Sequence, residues 1–297
     1  MPFPDGHFYS PVVDPDEIRR QEDRIWPDQP LMPGVDLRGE EQRRFIHEQI
    51  DKYYGDFDYP VDQAGCVEEY DFFLKNGLYE QLDPVALFTM LRKYEPKRMI
   101  EVGSGFSSLL TADVNRRWFD NRLEFACIEP YPREFLKKGV PGIEHLIESK
   151  VEDVDLRLFD TLRPNDILFI DSSHVCKTGS DVNFLYFEVI PRIRPGVLIH
   201  IHDIFFPHEY PRDWVVDENR SWNEQYLLRA MLMFSEAFEV QFGCAYAQTV
   251  LGSDVEAACG QLLGGGAFWM RKVKCSCAPY SSTTTSSRTQ GRRSTGH

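Results

Sequence analysis

The chain reads as an α/β protein built on a doubly wound, mostly parallel sheet. Three observations predict this. From Arg98 onward, short apolar runs alternate with helix-length segments, as in parallel strands joined by covering helices. One run ends in a glycine turn, Ile100-Glu101-Val102-Gly103-Ser104-Gly105-Phe106-Ser107-Ser108. Two later runs end in acids and imidazoles: Phe169-Ile170-Asp171-Ser172-Ser173-His174 and Ile199-His200-Ile201-His202-Asp203. Open α/β sheets bind ligands at the carboxyl ends of their strands, so these ends are where chemistry is expected.

Residues 1–38 are rich in Pro and Asp without a clean period and read as an irregular arm. From Glu40 to Tyr54, Phe45, Ile46, Ile50, Tyr53 and Tyr54 recur at helical spacing. A second helix is expected over 84–94, with Val85, Leu87, Phe88 and Leu91 inward, and Pro96 breaks the chain after it. Strands are expected at 98–102, 123–128, 143–147, 166–170 and 197–202, and helices at 107–117, 133–138, 179–193 and 223–236. The turn Arg194-Pro195-Gly196 feeds the fifth strand. Two more strands are expected at 238–242 and 267–271, joined by a loop that includes Gly264-Gly265-Gly266. From Cys275 the chain is Ser, Thr, Arg and Gly, too poor in apolar residues to offset the entropy of ordering. The expected division is therefore an N-terminal arm and helical extension at 1–95, a ligand-binding domain at 96–273 and a disordered tail at 274–297.

Hydrophobic content of 42% over 297 residues supports a sizeable core. The net charge of −14 argues against gripping nucleic acid, which needs clustered Lys and Arg. No apolar run reaches membrane-spanning length. Met1-Pro2-Phe3-Pro4-Asp5 lacks the basic and apolar regions of a signal peptide, so a cytoplasmic location is expected. The seven cysteines are odd in number and scattered, which predicts free thiols in a reducing compartment. Cys275-Ser276-Cys277 is too closely spaced for a zinc pair.

Gly103 and Gly105 let the backbone turn sharply and let a ligand approach without meeting a Cβ. Glu101 could fix an amino group or a ribose. Glu129 ends the next strand, 28 residues after Glu101, where an acid binds ribose hydroxyls. Glu152-Asp153 follows the third strand, where an acid can meet an adenine amino group. On these residues the chain, over roughly 84–273, resembles the class I S-adenosylmethionine-dependent methyltransferases. Gly105-Phe106-Ser107-Ser108 is similar to the small-molecule branch of that family. The resemblance implies a Rossmann-like fold with S-adenosylmethionine at Glu101, Gly103, Ser104, Gly105, Ser107, Ser108, Glu129, Glu152 and Asp171. A dinucleotide reading is weaker, because Ser108 stands where the third glycine or an alanine would be.

Four of the eight histidines lie between 174 and 208. His202 and Asp203 are adjacent at the end of the fifth strand, and Asp171 ends the fourth. Neighbouring strands lie about 4.8 Å apart, so their tips can share one ion. Catechol-type and macrolide-sugar O-methyltransferases, which the chain resembles here, imply metal ligation by Asp171, His202 and Asp203. His202 stands where that family has Asp, and imidazole shifts preference from Mg²⁺ toward Mn²⁺, Fe²⁺ or Zn²⁺. A divalent metal (Mg, Mn or Fe) is thus expected. The same resemblance implies that His174, three residues after Asp171, is a general base. Asp171, His174 and His202 would also form the two-His, one-carboxylate face of non-haem iron, so base and ligand both stay open for His174. His200 lies deeper on the face of His202 and reads as core, or as a group orienting a ligand.

The aromatic and proline-rich stretch Ile204 to Trp222 reads as a lid. Asn223-Glu224-Gln225-Tyr226 could cap the next helix and face the pocket, and Lys177 and Asp181 read as solvated or capping groups. The expected activity is metal-assisted O-methylation of a small molecule. The alternatives are iron chemistry or transfer to nitrogen or carbon on the same fold, or an inactive binding protein. No nucleic-acid or membrane partner is expected, and a homo-oligomer is compatible.

Overall fold

The computed structural model describes residues 3–274. Seven strands form one sheet: β1 (Arg98–Val102), β2 (Glu124–Ile128), β3 (His145–Ile147), β4 (Ile167–Ile170), β5 (Leu198–Ile201), β6 (Phe238–Gly243) and β7 (Phe268–Lys272). Their order is β3-β2-β1-β4-β5-β7-β6. The first five are parallel, and β7 runs antiparallel between β5 and β6. This is the expected Rossmann-like, doubly wound fold. The chain steps outward from β1 to β3, then returns to β4 on the other side of β1. Ligand crevices open at such a reversal, above the carboxyl ends of the strands.

Every residue of β4 and β5 is buried, as strands covered on both faces require. One core joins Met99, Phe125, Phe169 and Trp269 of the sheet to Phe45, Ile50 and Phe88. The other face packs Ile100, Ile170 and Ile199 on Leu185, Val189 and Leu228. Each fully buried Leu or Phe contributes about 1.5–3 kcal/mol. Helix Leu82–Tyr94 is buried at ten consecutive positions, Leu82 to Leu91. The stretch from Phe45 to Leu91 thus shares a core with the sheet.

The expected helix at 40–54 is present, with a widened turn at Ile46–Ile50 that buries Ile46 and Ile50. The helix expected at 179–193 is shorter, Asp181–Phe184 with a widened turn at Leu185–Val189. Ser180 caps its start, and Pro191, which lacks an N–H, follows its end. Two helices, Cys244–Val250 and Gly252–Cys259, occupy the segment expected to be a loop.

The N-terminal arm contains short helices Pro15–Arg19 and Glu22–Ile25 and is braced against the segment after β5. Trp26 Nε1 donates to the Tyr210 carbonyl at 2.8 Å, Arg212 pairs with Glu22 at 2.6 Å, and Arg19 reaches the Val216 carbonyl. Cys66, Cys127, Cys176, Cys244 and Cys259 are free thiols. No helix among the described residues is long and apolar enough to cross a membrane. The tail from Cys275, with Cys277, lies outside the described residues.

Candidate active site

Two cavities, each of about 400 Å³, open above the carboxyl ends of the parallel strands. The first lies over β1, β2 and β4 and is lined by Gly103, Glu129, Glu152 and Asp171 among the expected residues. Tyr131, Lys150, Ser172, Ser173, Lys177 and Asp181 also lie on its wall. Glu129 Oε2 accepts the Ser104 N–H at 3.2 Å and its Oε1 accepts the Tyr131 N–H at 2.8 Å. The carboxylate is therefore held at the cavity's edge.

Glu101, Ser107 and Ser108 sit behind this cavity and do not line it. The Glu101 carboxyl accepts from the Ser107 hydroxyl at 2.6 Å, from the Ser108 hydroxyl, and from the Cys127 thiol at 3.4 Å. Ser108 Oγ accepts the Gly105 N–H at 3.0 Å. The trio thus ties the glycine turn to the first turn of helix Phe106–Phe119. Ser104 and Gly105 also lie outside the wall.

Burial pushes the Glu101 carboxyl up to about 7, against the pull of the two hydroxyls and the thiol. Unfolded, it would release its proton near 4.5. The folded chain therefore holds a proton that the unfolded chain has lost between these values. Stability from this group is full below 4.5 and falls as pH rises through about 7. Relative to Glu101→Gln, wild-type stability is expected to fall by up to about 3 kcal/mol between pH 4.5 and 8. Urea melts of both proteins across that range measure it, and parallel pH curves would refute it.

Asp171, His174 and Asp203 form a group whose potential ligand atoms all lie within 4.8 Å of one another. His174 Nε2 stands 3.4 Å from Asp171 Oδ1 and 3.4 Å from Asp203 Oδ2. Both His174 and Asp203 have left-handed backbone, with φ of 59° and 56°. Such strain costs about 1–3 kcal/mol per residue and persists only where the surroundings enforce it. The His174 carbonyl is held by the N–H groups of Asn223 and Glu224, at 3.1 and 3.2 Å.

His202 lies beside this group. Its Nε2 lies 3.7 Å from Asp203 and 4.0 Å from Asp83, outside the Asp171, His174, Asp203 group. Burial works against its charge, and Asp203, Asp171 and Asp83 outweigh burial, so its pKa rises. The group that could hold an ion has two carboxylates and one imidazole.

The donor chemistry suits a divalent ion. Asp171, Asp203 and Glu224 crowd His174. Burial opposes its charge, but Asp171 and Glu224 prevail and push its pKa up to about 10. For Asp171 burial is likewise outweighed, by His202 and His174, and its carboxyl is held below the usual range. This surplus of negative charge is what a divalent cation offsets, and carboxylate with imidazole accommodates Mn²⁺, Fe²⁺ or Zn²⁺.

Asp171, His202 and Asp203 line the second cavity, with Glu80, Asp83, Gly264-Gly265-Gly266, Phe205, Trp214, Arg220 and Trp222. Asp83 went unnoticed in the sequence. It is buried and accepts the N–H groups of Gly266 and Ala267 at 3.1 and 2.8 Å. A Cβ on Gly265 would lie 2.0 Å from its Oδ1, so the glycine run is this acid's cradle. His200 is fully buried, stacked at 3.8 Å on Phe169, and burial lowers its pKa. The expected lid is packed down: Phe205, Trp214 and Trp222 meet edge to face, and Gln225 bonds the Phe205 N–H and the His208 carbonyl.

Residues 100–204 match the family model described as a methyltransferase domain. An uncharacterised protein of Archaeoglobus fulgidus is 40% identical over 173 residues, covering 56% of this chain and 76% of that protein. Among solved structures, the O-methyltransferase TomG of Streptomyces achromogenes in complex with S-adenosylmethionine is similar at 15% identity. That match covers 77% of this chain and 89% of TomG, with a TM-score of 0.38. An O-methyltransferase of Bacillus cereus in complex with S-adenosylhomocysteine is similar at 15% identity, covering 77% of this chain and all of that one, with a TM-score of 0.38. Residues 100–204 are thus a methyltransferase domain. The chain belongs to one family with the Archaeoglobus protein.

Proposed function

We propose that the chain transfers the methyl group of S-adenosylmethionine to a hydroxyl oxygen of a small molecule, with a divalent metal at Asp171 and Asp203. The observation that carries this reading is that Asp171 lines both cavities. The first cavity would take the donor, with Glu129 on the ribose, Glu152 on the adenine side and Gly103 close to the ligand. The second would take the acceptor. Its aromatic wall of Phe205, Trp214 and Trp222 suits a compact organic molecule. Its charged residues are mainly acids, and Arg220 is engaged by Glu218 and by the Trp214 and Trp222 rings. This favours a neutral, hydroxyl-bearing acceptor over an anion.

In the transfer, an oxygen lone pair forms the new O–C bond. The electrons of the S–C bond return to sulfur, S-adenosylhomocysteine leaves, and the hydroxyl proton passes to a basic side chain of the site. A bound divalent ion would supply Lewis acidity to the acceptor oxygen. The chain itself supplies position: holding oxygen and methyl in line removes much of the entropic barrier.

The test is calorimetric titration with S-adenosylhomocysteine. Micromolar binding is expected for the wild type. For Glu129→Ala it should weaken by about 10-fold or more, since a charge-assisted hydrogen bond is worth about 1.5–3 kcal/mol. Equal affinity of the two proteins would remove Glu129 from the site.

A further inference from the structure

We propose that the two imidazoles divide the work in a way the sequence does not show: His174, locked by the buried Glu224, binds the metal with Asp171 and Asp203, while His202 faces the acceptor hydroxyl. This deepens the metal-assisted methyl-transfer reading and rests on it. Glu224 has no exposed surface, and its Oε2 lies 2.9 Å from His174 Nδ1. An ionised carboxylate only accepts hydrogen bonds, so Nδ1 carries the hydrogen shared with Glu224, and Nε2 is the nitrogen that would give up its proton to a metal. A buried carboxylate behind an imidazole is how metal-binding histidines are held in one tautomer and one orientation.

Nε2 faces the two aspartates. Nε2 is 3.4 Å from an oxygen of each. Two ligands bound to one ion at about 2.0–2.2 Å stand roughly 3.0–3.5 Å apart across tetrahedral or octahedral edges. The ring has no freedom to turn away. Trp222 covers one face at a centroid distance of 4.4 Å, and Asn223 and Glu224 hold its carbonyl. Asn223 Oδ1 accepts the Cys176 N–H at 2.6 Å, fixing the loop on its other side. Trp222-Asn223-Glu224 is thus a positioning segment for one imidazole.

Access separates the two rings. His174 is 5% exposed and lines neither cavity. His202 lines the acceptor cavity. Behind it stand Asp83, anchored by two backbone N–H groups, and the Tyr79 ring at 5.3 Å. An acceptor seated against Asp171 and Asp203 would meet His202 first.

The experiment titrates Mn²⁺ into the full-length protein, reading free Mn²⁺ by electron paramagnetic resonance, and separately titrates S-adenosylhomocysteine. His174→Ala and Glu224→Gln are expected to weaken Mn²⁺ binding by about 10- to 100-fold, with S-adenosylhomocysteine affinity unchanged. A merely structural loss would move both. His202→Gln should keep wild-type Mn²⁺ affinity. If His174→Ala does not fold, Glu224→Gln decides. Wild-type Mn²⁺ affinity in Glu224→Gln and His174→Ala, or its loss in His202→Gln, overturns the proposal. Wild-type protein that binds S-adenosylhomocysteine but no Mn²⁺ overturns the proposal and the metal-assisted reading together, leaving the donor site standing. Protein that binds Mn²⁺ as proposed but no S-adenosylhomocysteine separates the two the other way.

Discussion

Asp171→Asn is expected to slow the proposed metal-assisted methyl transfer by on the order of 10³-fold, because Lewis-acid activation would supply several kcal/mol and each 1.36 kcal/mol is about tenfold in rate. Asn keeps the volume and one oxygen but removes the charge. Asp171 is the residue where the two cavities meet, and its oxygen lies 3.4 Å from His174 Nε2. The main-chain bond from the Asp171 N–H to the Val102 carbonyl, at 2.8 Å, is untouched by the exchange. The strand end should therefore stay in place, and S-adenosylhomocysteine should still bind. The measurement uses labelled S-adenosylmethionine with a deproteinised small-molecule extract as the acceptor pool. A wild-type rate in Asp171→Asn would sink the placement of the metal between the cavities.

The strands were legible because burial on both faces forces continuous apolar runs. β1, β2, β4 and β5 lie within one residue of the expected ranges at each end. Asp171, His174, His202 and Asp203 were legible as candidates because acids and imidazoles at buried strand ends are costly without a role. Their division of labour was not, since it depends on which ring nitrogen faces which carboxylate. Glu224 carries no local signal beyond a helix start, and its 50-residue separation from His174 is bridged only by the fold. Asp83 is similar: its partners, Gly266 and Ala267, are more than 180 positions away. The N-terminal arm looked irregular because its order comes from the distant segment around Tyr210 and Arg212. Helices Cys244–Val250 and Gly252–Cys259 did leave a trace. Cys244, Ala247, Leu251, Val255 and Cys259 recur every three or four residues and are buried, but the neighbouring glycines masked the period.

The glycine turn shows what a motif alone cannot rank. Gly103 and Gly105 look alike in sequence, yet only one is sterically obligatory. Gly103 has φ of +82°, and a Cβ there would lie 1.7 Å from the Asp171 carbonyl oxygen. Gly103→Ala therefore combines left-handed strain of about 1–2 kcal/mol with overpacking of about 1–3 kcal/mol, a total of roughly 2–5 kcal/mol. The collision falls on the end of β4, so Asp171 and with it both cavities should be displaced. The expected result is a melting temperature lower by roughly 5–15 °C and loss of S-adenosylhomocysteine binding. Gly105 has extended backbone with φ of −167°, and a Cβ there meets nothing within 4 Å. Gly105→Ala should melt close to the wild type. Its titration with S-adenosylhomocysteine then carries separate information. Lost binding in a normally stable Gly105→Ala would mean that the ligand itself passes within contact of that backbone. Retained binding would confine the glycine requirement to Gly103. A Gly103→Ala protein as stable as the wild type would mean that β4 can yield at Asp171, and the packing between the two strand ends would have to be read as loose.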